Sequence, residues 1–234
     1  MWETWHSTIT SPYYKTPEDL GEVYVKIIRN EILRLQSMGL TNIQIDEPML
    51  GNLIEASNDK PDRYRKIFSI INGQQYRGFK QELELCKNMM IKTLKGINNI
   101  EKEVHICHWP NKDSNNYGNG VEQFIPEIFS MGFDNLVIEN KAQGSGNIVK
   151  VVKEYPSNMK LSIGVLDVRN HIIETPIEIV KQVEKVTNYV DPSNIILVPD
   201  CGFACGMLHK YPIPIMFKKL ANMVLASNIL RNKY

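Results

Sequence analysis

The sequence lacks several features that would place it in a functional class at once. Its 234 residues include only four cysteines, and 27 Lys and Arg residues nearly balance 26 Asp and Glu residues, for a net charge of +1. Such a balance provides no basic field for nucleic acid or for an anionic membrane. No apolar run reaches the roughly 18 residues of a membrane helix, and the first residues lack the regions of a signal peptide. We therefore expect a soluble, cytoplasmic protein with no nucleic-acid or membrane partner.

The few cysteines are more informative than their number suggests. In a chain of this kind, cysteines are more often metal ligands or buried thiols than disulfides. Cys86 lies on the apolar stripe of a predicted helix and is expected in the core. Cys107 and Cys201 end predicted strands, so they are the main candidates for chemistry, and Cys205 is a weaker one.

Strand and helix patterns alternate along the whole sequence. Thr16-Pro17-Glu18-Asp19 predicts a helix start, because Thr caps well, Pro suits the first turn and acids favour the helix N-terminus. Thr175 to Glu178 forms a capping box for a later helix. After the first helix, the pattern predicts strands at 42–48, 103–109, 135–139, 160–168 and 194–199, followed by helices at 79–94, 121–131, 147–154, 175–189 and 214–230.

Five β-then-α units in succession predict an α/β fold with a parallel sheet and right-handed crossovers. Two architectures fit this pattern: a doubly wound open sheet, or a barrel of the (β/α)₈ kind. No G-x-G-x-x-G sequence follows a strand, which counts against a dinucleotide-binding open sheet. No internal repeat or low-complexity linker interrupts the sequence, so we predict a single domain over residues 1–234.

Residues capable of chemistry recur where the predicted strands end. In chain order these are Asp46 and Glu47, then His105, Cys107 and His108, then Glu139, then Asp167, and last Asp200 and Cys201. The carboxyl ends of parallel strands share one edge of the sheet, and that edge is where α/β folds build their sites. The repeated coincidence predicts a functional site there.

Four of these residues make a plausible metal-ligand set. Alternate residues of a strand point to the same side, so His105 and Cys107 can share an ion. Glu139 and Cys201 come from other strand ends, and one nitrogen, two sulfurs and one oxygen suit tetrahedral Zn²⁺. The alternative interpretation is that His105 and Cys107 are half-buried core residues and Glu139 is a helix-capping acid. The shared position at strand ends favours the metal.

Five short motifs then occur in a characteristic order: Gln44-Ile45-Asp46-Glu47-Pro48, His105-Ile106-Cys107, Val137-Ile138-Glu139, Gly164-Val165-Leu166-Asp167 and Pro199-Asp200-Cys201-Gly202. This ordered set resembles the catalytic barrel of cobalamin-independent methionine synthase, in particular its short, single-barrel relatives. The similarity extends over residues 17–231, and an ordered set is far more specific than any one motif.

The resemblance implies a (β/α)₈ barrel whose zinc ion is held by the residues corresponding to His105, Cys107, Glu139 and Cys201. It also implies that Asp46 receives the amino group of homocysteine. Glu47 and Asp167, at the same edge, complete the set of expected substrate-binding residues.

The implied activity is a zinc-dependent methyl transfer to a thiol, with homocysteine as acceptor and methionine as product. The methyl donor would be a folate or a methylated corrinoid. Two alternatives stay open: a related alkyl-thiol transferase with another thiol acceptor, and a non-catalytic or half-barrel subunit that needs a partner chain.

Two departures from the family pattern shape these expectations. The family's barrel begins with three further strands, whereas only five of eight β/α units are predicted here, so we expect a partner chain or a homo-oligomer to complete the barrel. The family commonly has a His two residues after the position of Asp167, and this sequence has Arg169. That change favours a corrinoid over a folate as donor.

Overall fold

A computed structural model of the protein describes residues 12–47, 79–106, 122, 125–142, 145–203 and 212–234. Four positions named above lie outside the described residues: Pro48, Cys107, His108 and Cys205. Within those ranges the chain alternates six helices and five strands: α1 Pro17–Ser37, β1 Asn42–Asp46, α2 Phe79–Leu94, β2 Glu101–Ile106, α3 Ile125–Phe129, β3 Asn135–Ile138, α4 Ile148–Val152, β4 Lys160–Leu166, α5 Pro176–Val183, β5 Ile195–Pro199 and α6 Ile213–Lys233.

Local capping explains where α1 and α5 begin. The Thr16 hydroxyl accepts from the Asp19 N–H at 3.2 Å, and the Thr16 N–H donates to the Asp19 carboxylate at 3.0 Å. Thr175 and Glu178 make the same reciprocal pair before α5. Each pair satisfies two backbone groups that a helix start would otherwise leave without partners. Both predicted capping boxes are confirmed.

Strand order decides between the two architectures. All five strands pair in parallel and in chain order, β1-β2-β3-β4-β5. A doubly wound sheet reverses its order at a switch point, which puts helices on both faces. An unbroken order with right-handed crossovers puts every connecting helix on one face, as in the wall of a (β/α) barrel. The predicted α/β fold with a parallel five-stranded sheet is confirmed, and its strand order matches an incomplete barrel wall and not a doubly wound open sheet.

The two faces of the sheet differ in character. One face packs against the helices and is apolar, with its centre formed by Val104, Ile106, Leu136, Ile138, Leu161 and Ile163. The opposite face carries polar side chains: Asn135 Nδ2 donates to Ser162 Oγ at 2.9 Å, and Lys160 bonds the Glu101 carboxylate at 2.8 Å. Residues of this polar face continue to the carboxyl ends of the strands, where they meet the candidate site.

Helix lengths differ from the sequence prediction. The helices predicted at 121–131, 147–154 and 175–189 are shorter in the structure. After α5 the chain continues in tight turns, in which the Val186 N–H donates to the Val183 carbonyl at 2.9 Å and the Tyr189 N–H donates to that of Val186. Such i to i+3 bonds are typical of tight 3₁₀-like turns.

By length and composition alone, α6 would be able to cross a membrane, although the sequence has no long uninterrupted apolar run. It nevertheless packs against α5 and β4. Its Lys219 ammonium is 1% exposed and bonds the Glu174 carboxylate at 2.9 Å and the Asp167 carbonyl at 2.9 Å. These contacts are those of a helix in the outer layer of the wall.

Candidate metal centre

Three of the four predicted ligands come together in the structure. A ring nitrogen of His105, a carboxylate oxygen of Glu139 and the sulfur of Cys201 all lie within 4.8 Å of one another. His105 and Glu139 are buried and Cys201 is half-buried. The fourth predicted ligand, Cys107, lies outside the described residues.

Strand pairing explains this convergence. β2 and β3 are neighbours, and His105 pairs with Val137, so Glu139 lies two residues further along the same face. Cys201 follows β5, which is separated from β3 by β4. The carboxyl ends of three parallel strands therefore bring together residues that are far apart in sequence.

Asp200 connects the end of β5 to the segment after Glu139. Its carboxylate accepts backbone N–H bonds from Asn140 at 3.0 Å, Lys141 at 3.0 Å and Ala142 at 2.6 Å. Burial raises the pKa of Asp200 to about 6, although these N–H groups favour its ionised form. By holding the chain after Glu139, Asp200 sets the distance between Glu139 and its own neighbour Cys201. Sequence reasoning placed Asp200 at a strand end but gave it no role.

Glu139 has a charged partner that the sequence did not reveal. Arg169 Nη2 donates to Glu139 Oε2 at 2.7 Å, and the two side chains are 16% and 1% exposed. Burial raises the pKa of Glu139 to about 8; Arg169 opposes the rise, and Asp200 and Cys201 add to it. Burial alone would lower the pKa of Arg169, but the carboxylates of Glu139, Asp200 and Asp167 outweigh it and raise that pKa.

Asp46 lies beside the imidazole of His105. Asp46 Oδ1 is 3.1 Å from His105 Nδ1 and also accepts from Gln44 Nε2 at 2.9 Å. When Nδ1 donates to Asp46, the other ring nitrogen carries the lone pair that a metal needs. The Asp46 side chain is 66% exposed, so its carboxylate remains accessible to a substrate.

The other two predicted substrate residues have different surroundings. Glu47 interacts with the Cys86 thiol of α2, and burial together with this carboxylate raises the pKa of Cys86 well above its usual range. Asp167 organises the loop after β4: its Oδ1 accepts from the Arg169 N–H at 2.8 Å, and its Oδ2 accepts from the Asn170 side chain. Substrate binding by Glu47 and Asp167 stays a prediction.

The donor set fits zinc. Imidazole nitrogen, carboxylate oxygen and cysteine sulfur are the ligand types that Zn²⁺ combines. His105 and Glu139 each contact a further polar residue, Asp46 and Arg169, as metal ligands usually do. Among the described residues, these three are the group of potential ligands that lie close enough to share one ion.

Comparison with known proteins identifies the family of the chain. The family model described as "Cobalamin-independent synthase, Catalytic domain" matches residues 80–228. A methionine synthase of Sulfurisphaera tokodaii is 28% identical over an alignment of 239 residues, gaps included. The alignment covers 97% of this chain and 56% of that protein. A methionine synthase of Pyrococcus horikoshii is 30% identical over 221 residues, covering 94% and 52%. The chain thus spans about half the length of the curated relatives it matches.

Solved structures show the same fold. A B12-independent methionine synthase from Shewanella sp. W3-18-1, in complex with selenomethionine, superposes with a TM-score of 0.65 at 19% identity and covers 94% of this chain and 57% of that one. A putative vitamin-B12 independent methionine synthase from Listeria monocytogenes gives 0.63 at 15% identity, covering 95% and 57%. Since the family model matches more than half of the residues, the chain belongs to the cobalamin-independent methionine synthase family, within its catalytic domain.

Proposed function

We propose that this chain forms a zinc site that transfers a methyl group to the thiol of homocysteine to give methionine. The observation that supports the proposal is the convergence of His105, Glu139 and Cys201 at the carboxyl edge of the sheet in a member of this family. Cys107, two residues after His105 in the sequence, is the proposed fourth ligand. Residues 1–234 are proposed to form a single domain that acts in the cytoplasm on small molecules.

A bound zinc ion would supply acidity, keeping the substrate thiol ionised at neutral pH, where a free thiol with a pKa of about 8.5 is mostly protonated. The protein residues hold the metal and orient the substrate. His105, buried against Asp46, offers a fixed nitrogen ligand. The exposed Asp46 carboxylate can pair with the ammonium group of homocysteine and so orient its sulfur. The His105 and Glu139 side chains are buried, so this part of the site has little contact with bulk water.

The methyl donor is a methylated corrinoid or a folate. Arg169 stands where the resemblance leads us to expect a proton-donating His, and a guanidinium does not deprotonate at neutral pH. This difference favours the corrinoid. A related alkyl-thiol transferase with another thiol acceptor is the second candidate.

A partner chain or a second copy is part of the same proposal. Among the strands described, β1 and β5 each pair with one neighbour. An exposed strand edge offers backbone groups to another chain. Light scattering of the purified protein, alone and with its substrates, measures whether the active species is a monomer.

The central experiment combines metal analysis with a transfer assay. Purified protein should contain one zinc per chain and should form methionine from L-homocysteine with methylcobalamin or a methylated folate as donor. Cys201→Ser should lose both properties, whereas Cys86→Ser, at a half-buried thiol packed against the apolar core, should keep them. Wild-type protein with no zinc, or zinc protein that methylates another thiol and not homocysteine, would contradict the proposal.

A further inference from the structure

We propose that Arg169 is a positioning residue that makes Glu139 an exchangeable ligand: it holds the Glu139 carboxylate when a substrate thiolate takes that carboxylate's place at the metal. The inference rests on the proposed function, because it concerns how that site admits its substrate.

One carboxylate lies within reach of two competing partners. Glu139 Oε2 accepts from Arg169 Nη2 at 2.7 Å. The same carboxylate offers an oxygen within 4.8 Å of the ligand atoms of His105 and Cys201. A small movement of this side chain is therefore enough to shift it between the metal position and the guanidinium.

Burial explains why a second partner is needed. The Glu139 side chain is 1% exposed, so water cannot solvate its charge when it leaves a metal. An ionised carboxylate without a partner in such surroundings is strongly unfavourable. A guanidinium beside it removes most of that cost and always carries its charge. Without Arg169, Glu139 would leave either as an unpaired buried charge or after taking up a proton, and either route would weaken binding of the incoming thiolate.

The backbone at Arg169 is held in place by a chain of contacts from the outer layer. Asp167 Oδ1 accepts from the Arg169 N–H at 2.8 Å, and Glu174 accepts from the Asp167 N–H at 2.9 Å. Glu174 is in turn paired with the buried Lys219 at 2.9 Å. These contacts fix the loop after β4, so Arg169 is positioned before any substrate arrives.

Other acids near Arg169 already have their own donors. The Asp200 carboxylate is occupied by the backbone N–H groups of residues 140–142, and Asp167 by its own loop. Glu139 is therefore the carboxylate with which the Arg169 guanidinium pairs.

The test uses the full chain loaded with cobalt(II), whose thiolate charge-transfer absorption reports each sulfur bound to the metal. L-Homocysteine is titrated into the wild type, Arg169→Met, Arg169→Lys and Arg34→Met. Arg34 pairs with Glu31 on the surface, so it is a matched control for loss of an Arg–Glu pair. We expect the apparent Kd for homocysteine to rise about tenfold or more in Arg169→Met. Arg169→Lys should recover part of the loss, and Arg34→Met should behave as wild type.

A double-mutant cycle isolates the role of the pair. In a Glu139→Gln background residue 139 carries no charge with which Arg169 can form an ion pair. Adding Arg169→Met to it should therefore change homocysteine affinity by less than about twofold. Cobalt affinity without homocysteine should not fall in Arg169→Met, because Glu139 is still present as a ligand.

The outcomes separate this inference from the proposed function. A wild-type protein that binds no cobalt, or whose cobalt absorption does not respond to homocysteine, overturns the proposed function and the inference with it. A normal wild-type response that Arg169→Met leaves unchanged overturns the inference alone. So does an equally large loss of homocysteine affinity in the Glu139→Gln background.

Discussion

The carboxylate of Asp200 occupies the space that a side chain at Gly164 would need. A β-carbon on Gly164 would lie 2.1 Å from Asp200 Oδ1 and 3.0 Å from the Ile138 carbonyl oxygen. The missing side chain in β4 lets Asp200 reach from β5 to the backbone that follows Glu139. One glycine in β4 thus allows the ends of its two neighbours, β3 and β5, to form a single site.

Gly164→Ala should therefore displace Asp200 and destabilise the protein. Overpacking of this kind costs about 1–3 kcal/mol. Loss of the Asp200 contacts should also lower metal affinity. Urea unfolding and a competitive zinc titration measure the two effects. Gly202→Ala is the matched control, since a β-carbon there meets nothing within 4 Å. Equal effects of the two substitutions would show that Gly164 has no special role.

Lys219→Met should be among the most destabilising single substitutions in the outer layer. It leaves the buried Glu174 carboxylate without its cation, and breaking a buried pair in this way costs about 3–5 kcal/mol. Lys218→Met, at an exposed neighbouring position of α6, should have little effect on unfolding. Adding Glu174→Met to Lys219→Met should restore part of the lost stability. If the double variant has a lower free energy of unfolding than Lys219→Met alone, the ion-pair explanation is wrong.

Removal of either proposed cysteine ligand should release the metal. Cys107→Ser and Cys201→Ser should each lose most of the zinc, because a serine hydroxyl does not replace a thiolate as ligand. Elemental analysis of the purified variants measures this directly. Cys86→Ser should retain stoichiometric zinc. If both ligand variants keep their zinc, the assignment of the site is wrong.

Asp46 has two proposed roles: it accepts a hydrogen bond from His105 Nδ1, and it pairs with the ammonium group of homocysteine. Asp46→Asn separates the two. The amide oxygen can still accept from His105 Nδ1, whereas the negative charge that pairs with an ammonium group is lost. Zinc content should stay at one per chain, and KM for homocysteine should rise. Asp46→Ala removes the acceptor as well and should weaken zinc binding about tenfold or more. Loss of zinc in Asp46→Asn would place Asp46 in the metal site, and Glu47 would then be tested as the ammonium partner.

Much of this protein can be read from local sequence. Thr16 with Asp19, and Thr175 with Glu178, begin helices because each partner lies three residues away, within one helical turn. Apolar runs such as residues 136–138 mark strands covered on both faces. The regular occurrence of His105, Glu139 and Cys201 at strand ends indicated the edge at which they converge, because all strands of a parallel sheet end on the same side.

The tertiary structure alone decided the rest. Alternating strands and helices are compatible with both an open sheet and a barrel wall, and the pairing order selects between them. Arg169 with Glu139, and Asp200 with Gly164, are separated by 30 and 36 positions in the sequence, so neither pair leaves a local pattern. Such contacts depend on which strand ends become neighbours and on how closely the strands approach, and hydrogen bonding between strands together with packing of the whole sheet sets both.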